Sequence, residues 1–172
     1  MWNNEKVNDA LFFAINAHKN QEMYFPEGTP YSAHIIGVAL TALNFAENEK
    51  VDKELVIKVA LLHDTIEDTG VTFEELKNKF GVKVAQGVLA LTKNETLAKE
   101  EQMPECLERI LKLNCKEVGL VKLADRCFNT RCVVPSWTKE KQEFYKRESQ
   151  LICDKLGNFC EPLKNKILEN IK

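Results

Sequence analysis

Residues 53–68, KELVIKVALLHDTIED, decide how this chain folds. The run LVIKVALL is apolar nearly all round, the pattern of a fully buried central helix, which should span about 53–67. That helix ends on His63 and Asp64, with Glu67 and Asp68 one turn further on. Charge at the end of a buried helix costs several kcal/mol unless something pairs with it. At about 100° per residue the four side chains share a sector of about 140° on one face. One imidazole and three carboxylates are crowded there with no cation among them, and such carboxylates repel one another unless a metal neutralises them.

The helical period continues on both sides of this stretch. Helices are expected at about 5–18, 31–46, 72–80, 82–91, 105–113, 116–131, 138–156 and 159–171. Thr72 opens TFEE, a capping box, and Gly81 closes the short helix that follows. Pro26, Gly28 and Pro30 make 21–30 a loop, and the charged stretch 94–104, ending on Pro104, reads as a second one. Strand-type alternation is scarce, so the expected class is all-α: a helical bundle of eight or nine helices in one domain over 1–172.

Composition narrows the function. A chain of 172 residues with 44% hydrophobic and 29% charged residues has the make-up of a folded globular protein. Its 24 basic and 26 acidic residues leave a net charge of −2, which argues against broad binding to nucleic acid or to a membrane surface. No run of 18 apolar residues is present, and the N-terminus lacks a basic segment followed by an apolar one. The six cysteines form no CxxC pair and read as reduced, mostly buried thiols, so a cytoplasmic location is expected. Nothing in the sequence sets the oligomeric state.

Two other segments match the charge problem at 63–68. In VGLVKLADRCFNTR (118–131), Asp125 sits among the apolar Val121, Ala124 and Phe128, and Asn129 follows on the same face. In TPYSAHIIGVAL (29–40), His34 lies early in a helix. A metal site can be drawn from His34, His63, Asp64 and Asp125. Two imidazoles and two carboxylates suit Mn²⁺, Fe²⁺, Zn²⁺ or Mg²⁺, and the lack of cysteine in the set argues against structural zinc. Glu67 and Asp68 then remain to orient water and act as general base or acid. Each piece also has a plainer reading: Asp68 as a turn residue, Asp125 paired with Lys122 or Arg126 on a solvated face, His18 as a helix-end residue.

Taken together, these motifs resemble the HD-domain metal-dependent phosphohydrolases, and more closely the small stand-alone hydrolases of the RelA/SpoT alarmone family. The resemblance is carried by PEGTPYSAHIIGVA (26–39), ALLHDTIEDTGVTFEEL (60–76), FGVKVAQGVLALT (80–92), VKLADRCFNTR (121–131) and a late helix with Tyr145. It implies His34, His63, Asp64 and Asp125 as ligands, usually of Mn²⁺, and Glu67 with Asp68 as the pair activating water. It further implies that Asn129 contacts the substrate ribose and that Tyr145 lies at the substrate pocket. The implied reaction removes pyrophosphate from the 3′ position of guanosine tetra- or pentaphosphate, and some stand-alone members look able to act on a phosphate of a reduced dinucleotide.

The chain departs from this family between Gln21 and Phe25, where QEMYF carries no Arg or Lys and Met23 occupies the position of the family's Arg. An anionic substrate needs cations from elsewhere, with Lys19, Lys93, Lys99, Arg126 and Lys146 as candidates. Alternatively Met23, Tyr24 and Phe25 form an apolar or stacking wall for a less charged nucleotide. The expectations are therefore a metal-dependent nucleotide phosphohydrolase of the alarmone type, a diverged hydrolase of another nucleotide or phosphomonoester, or a non-catalytic nucleotide-sensing module.

Overall fold

The computed structural model describes residues 3–24, 26–132 and 134–172, and among these the chain is helical with no strand beyond an isolated bridge between Glu22 and Pro30. Ten α-helices follow in order: α1 (Asn4–Ala17), α2 (Ser32–Ala46), α3 (Lys53–Leu62), α4 (Thr65–Asp68), α5 (Phe73–Phe80), α6 (Val82–Leu91), α7 (Lys99–Leu113), α8 (Lys116–Asn129), α9 (Lys139–Leu156) and α10 (Glu161–Asn170). A 3₁₀ turn, Gly157–Phe159, links the last two. Four of the helix starts carry side-chain caps. Asn3, Asp52, Thr72 and Thr138 each accept a backbone N–H from the first turn of α1, α3, α5 and α9.

α3 is the central helix. It packs against α1, α2, α6 and α8, and Val56, Val59, Ala60 and Leu62 are fully buried. Lys58 is buried too, with its ammonium 2.5 Å from Glu54, so its stem fills the interior while its charge is paired.

Two expectations are corrected. The helix expected over 53–67 is broken at His63 and Asp64 into α3 and α4. The Thr65 hydroxyl donates to the Leu62 carbonyl at 2.7 Å, a side-chain bond that occupies a carbonyl left at the helix end. The second half of the stretch read as a loop, 94–104, is already helix: α7 begins at Lys99 and runs through Pro104. Proline removes one ladder bond, but the face Met103, Cys106, Leu107 and Ile110 is buried, and that packing outweighs the local cost.

α2 and α8 approach each other closely at Gly37. A Cβ added at Gly37 would lie 2.0 Å from Cε2 of Phe128, so the two helices reach this separation only because residue 37 has no side chain. His34 lies one turn before Gly37 and Asp125 one turn before Phe128, so this contact also sets the distance between those two side chains. Gly37→Ala should cost about 1–3 kcal/mol by overpacking, a fall in Tm of roughly 3–10 °C in thermal denaturation. An unchanged Tm would mean that Phe128 moves aside freely.

Candidate metal centre

His34 comes from the first turn of α2, His63 and Asp64 from the break between α3 and α4, and Asp125 from the last turn of α8. Nε2 of His34 and Nε2 of His63 face each other at 3.2 Å. Asp64 Oδ2 lies 3.3 Å from the first and 2.9 Å from the second. Asp125 Oδ1 lies 3.6 and 3.8 Å from the same two nitrogens. Ligand atoms of His34, His63 and Asp125 all fall within 4.8 Å of one another.

These residues fit a divalent ion. His63 donates its Nδ1–H to the Ala60 carbonyl at 2.7 Å, which turns the Nε2 lone pair toward the cluster. Both imidazoles are buried, and two carboxylates face them, the hard and borderline donors that suit a divalent cation. Asp64 is further held by the Tyr31 hydroxyl, which donates to Oδ2 at 2.5 Å, and Asp125 by Asn129, whose amide donates to Oδ1 at 2.6 Å.

The charges are not all unpartnered. Lys122 is buried and sits 3.6 Å from Asp125 Oδ2, so the reading of Asp125 as paired on a solvated face gives way to a buried pair. Arg126 does not serve Asp125; it pairs with Glu148 at 3.2 Å and lies over the Tyr145 ring at 4.1 Å. Burial opposes charge on both aspartates. His63 nevertheless holds Asp64 well below the usual carboxylate range, and Lys122 and then His63 hold Asp125 down. Burial likewise opposes protonation of His63, but Asp64 at its side outweighs it and pushes the imidazole up to about 9. Burial pushes the Tyr31 hydroxyl up, and the nearby Asp64 adds to the effect.

His34, Asp64 and Asp125 of the cluster line a cavity of about 330 Å³. Glu67 and Asp68 line it beside Asp64. Glu67 is gripped by Lys93, whose backbone N–H donates at 2.7 Å and whose ammonium lies at 2.5 Å. Lys93 follows the end of α6, where Arg109 donates to the Leu89 and Thr92 carbonyls and so fixes the chain as it leaves the helix. Burial works against the charge on Lys93, but Glu67, and more weakly Asp125 and Asp64, raise its pKa above the ordinary value.

Met23, Tyr24, Asn129 and Tyr145 line the same cavity, whereas Lys19 and Lys99 are exposed and do not. Lys99 instead lies over the Phe144 ring. Phe25 lies outside the described residues. Tyr145 is half-buried, and partial withdrawal from water pushes its hydroxyl up to about 12; it meets Trp137 edge-on at 5.0 Å, and Trp137 in turn faces Tyr24 at 6.1 Å. Tyr31, Arg131, Cys132 and Trp137 also line the cavity, and sequence reasoning had not placed them there. Tyr31 carried a usable signal, since it stands three residues before His34. Trp137 carried none, because only the fold brings its loop to the cavity.

The HD-domain family profile matches residues 10–159. The chain belongs to the HD-domain family. HD domains imply a divalent metal, and this one has the His–His–Asp donors to hold it. Among relatives, the guanosine-3′,5′-bis(diphosphate) 3′-pyrophosphohydrolase MESH1 of Danio rerio is 41% identical over 150 residues, covering 84% of this chain and 81% of its own. The enzyme of the same name from Homo sapiens is 35% identical over 149 residues, with the same coverage of 84% and 81%. The solved structure of a metazoan ortholog of SpoT that hydrolyses ppGpp superimposes with a TM-score of 0.86 at 29% identity, over 99% of this chain and 96% of that one. The all-α HD fold expected from the sequence is thus the fold observed.

The His63–Asp64 contact has a consequence for the ion-free protein. An imidazole whose pKa is raised from 6.5 to about 9 stabilises the fold fully below pH 6.5, and that contribution is lost as pH rises through about 9. With chelator present, Tm should fall across this window, and His63→Gln should flatten the fall. An equal fall in the His63→Gln protein would assign the dependence to other groups.

Proposed function

We propose that this HD-domain protein is a metal-dependent 3′-pyrophosphohydrolase of guanosine 3′,5′-bis(diphosphate) and related nucleotides. The observation that carries the reading is the placement of Glu67 and Asp68 in the cavity that His34, Asp64 and Asp125 also line, with His63 against Asp64. Relatives 41% and 35% identical over 84% of this chain bear that activity in their names. Two imidazoles with two carboxylates accept Mn²⁺, Zn²⁺, Fe²⁺ or Mg²⁺, and among these the resemblance to the alarmone hydrolases selects Mn²⁺. A divalent ion, when bound, supplies Lewis acidity that makes water more acidic and takes up charge on a phosphoryl oxygen.

The remaining chemistry falls to the protein. Asp68 and Glu67 orient the attacking water and take its proton as the oxygen–phosphorus bond forms. The ribose 3′-oxygen then leaves the phosphorus, and the proton taken up by the carboxylates is available to it. Asn129, held by Asp125, stands at the floor to meet the ribose, and Tyr145 with Trp137 offers ring faces to the base. Together with the composition, this describes a small-molecule enzyme of the cytoplasm acting within one domain over 1–172. Among the described residues, no helix is long and apolar enough to cross a membrane.

A second reading is favoured by the cations. Of those lining the cavity, Lys93 is held by Glu67, and Arg131 donates to the Phe128 carbonyl and stacks on the Phe128 ring. Met23 and Tyr24 stand where the family carries an Arg nearby. This mouth suits a nucleotide with fewer phosphates, or a dinucleotide phosphate, acted on by the same centre.

Glu67→Gln and Asp68→Asn should each retain the ion and lose roughly 10²–10⁴-fold in turnover, while His63→Ala should lose ion and turnover together. Elemental analysis with pyrophosphate release from guanosine tetraphosphate measures both; full activity of the two amide variants would leave these carboxylates as a helix-end cap. Met23→Arg should lower KM for guanosine tetraphosphate by roughly tenfold to 150-fold, the value of one charge-assisted hydrogen bond of about 1.5–3 kcal/mol. An unchanged or higher KM would show a mouth built for a less charged substrate.

A further inference from the structure

His18 is 3% exposed, belongs to no part of the chemistry above, and touches two of its arms at once. Its Nδ1 lies 2.7 Å from Oε1 of Gln21, and Gln21 donates from Nε2 to Asp68 Oδ2 at 2.9 Å. A carboxylate accepts hydrogen bonds and does not donate them, so Gln21 must turn its amide nitrogen to Asp68 and its oxygen to His18. That fixes the imidazole proton on Nδ1. The other ring nitrogen, Nε2, is buried with no hydrogen-bond partner among the described residues, which anchor the ring along one polar edge.

The face of the same ring stacks on Tyr31, with centroids 4.8 Å apart and planes 30° from parallel. Tyr31 is the residue whose hydroxyl donates to Asp64. The backbone joins the two arms: Gln21 N–H donates to the His18 carbonyl, and Tyr31 N–H donates to the Gln21 carbonyl, both at 2.9 Å. One buried imidazole at the end of α1 therefore fixes both the donor to Asp68 and the donor to Asp64.

We infer that His18 and Gln21 are positioning residues for the reaction: together they orient the Asp68 carboxylate, and through Tyr31 His18 orients that of Asp64. This rests on the reading of Asp68 as a proton-handling group. Asp68 is otherwise a side chain at the end of a four-residue helix, with freedom to turn away from the cavity. A displacement of about 1 Å at a reacting group costs on the order of 100-fold in rate, so holding it has a measurable effect.

The test uses the Mn²⁺-loaded protein with guanosine tetraphosphate and the variants Gln21→Glu, Gln21→Leu and His18→Phe. Gln21→Glu keeps the shape and the acceptor for His18 but replaces the donor to Asp68 with a second carboxylate. A residue that only ties the loop would tolerate it. A positioning residue would not, and kcat should fall about 10–100-fold with KM within twofold and Tm near wild type. In an Asp68→Asn background the same change should add less than twofold, because both act through one group. His18→Phe keeps the stack and loses the N–H, and should fall with Gln21→Leu; should it fail to fold, the two Gln21 variants carry the test. Wild-type kcat in Gln21→Glu, or full additivity with Asp68→Asn, would overturn the inference.

A readout independent of turnover separates this from the proposed function. Long-range ¹H–¹⁵N spectra of the Zn²⁺-loaded protein should show His18 protonated on Nδ1 in the wild type and altered in Gln21→Leu. A wild type that releases no pyrophosphate overturns the proposed substrate and leaves the tautomer to decide, and an Nε2–H tautomer overturns the wire.

Discussion

The structure depends on one constraint: two histidines and two aspartates are drawn together at helix ends, where their charges are largely withdrawn from water. His34 and Asp125 lie on α2 and α8, His63 and Asp64 at the break after α3, and the packing of α2 and α8 against the central α3 is what makes the cluster possible. Gly37 against Phe128 sets the approach of α2 to α8, and the break after Leu62 turns His63 and Asp64 inward together. Such a cluster is expensive to bury without compensation. Lys122 offsets part of it from below, His63 and Asp64 offset each other, and a divalent ion would complete the balance.

Function follows from the way the cluster faces outward. The same helix break that turns Asp64 to the ligand set leaves Glu67 and Asp68 on the cavity wall one turn on, and each is held from a different part of the chain. Glu67 is held by Lys93 at the end of α6, and Asp68 by Gln21 beyond α1. Two adjacent carboxylates are thus given unlike partners, a cation and a neutral amide, by elements far apart in sequence. In the proposed reaction this is how a helical scaffold with rigid elements would hold the two carboxylates in place.

Much of this was legible in the sequence, for identifiable reasons. The buried helix at 53–62 announced itself by its unbroken apolar run, and HDxxED at its end by the charge it placed there. The helix 116–129 was marked by Asp125 among apolar neighbours. What escaped was set by tertiary context. The start of α7 was hidden because charge and Pro104 argued locally for a loop, while the burial of Met103 and Cys106 decided otherwise. The break at 63–64 turned on a Thr65 hydroxyl that propensity does not weigh. Trp137 reaches the cavity through a loop, and of the lysines chosen for their charge Lys93 lines the cavity while Lys19 and Lys99 lie outside it.

The central claim is that one ion sits where the three helices meet. Crystals soaked in Mn²⁺ and measured at the manganese absorption edge test it directly. A single anomalous peak within bonding distance of His34, His63, Asp64 and Asp125 is the predicted result. No peak in that cluster at saturating Mn²⁺, or a peak elsewhere on the chain, would contradict the account.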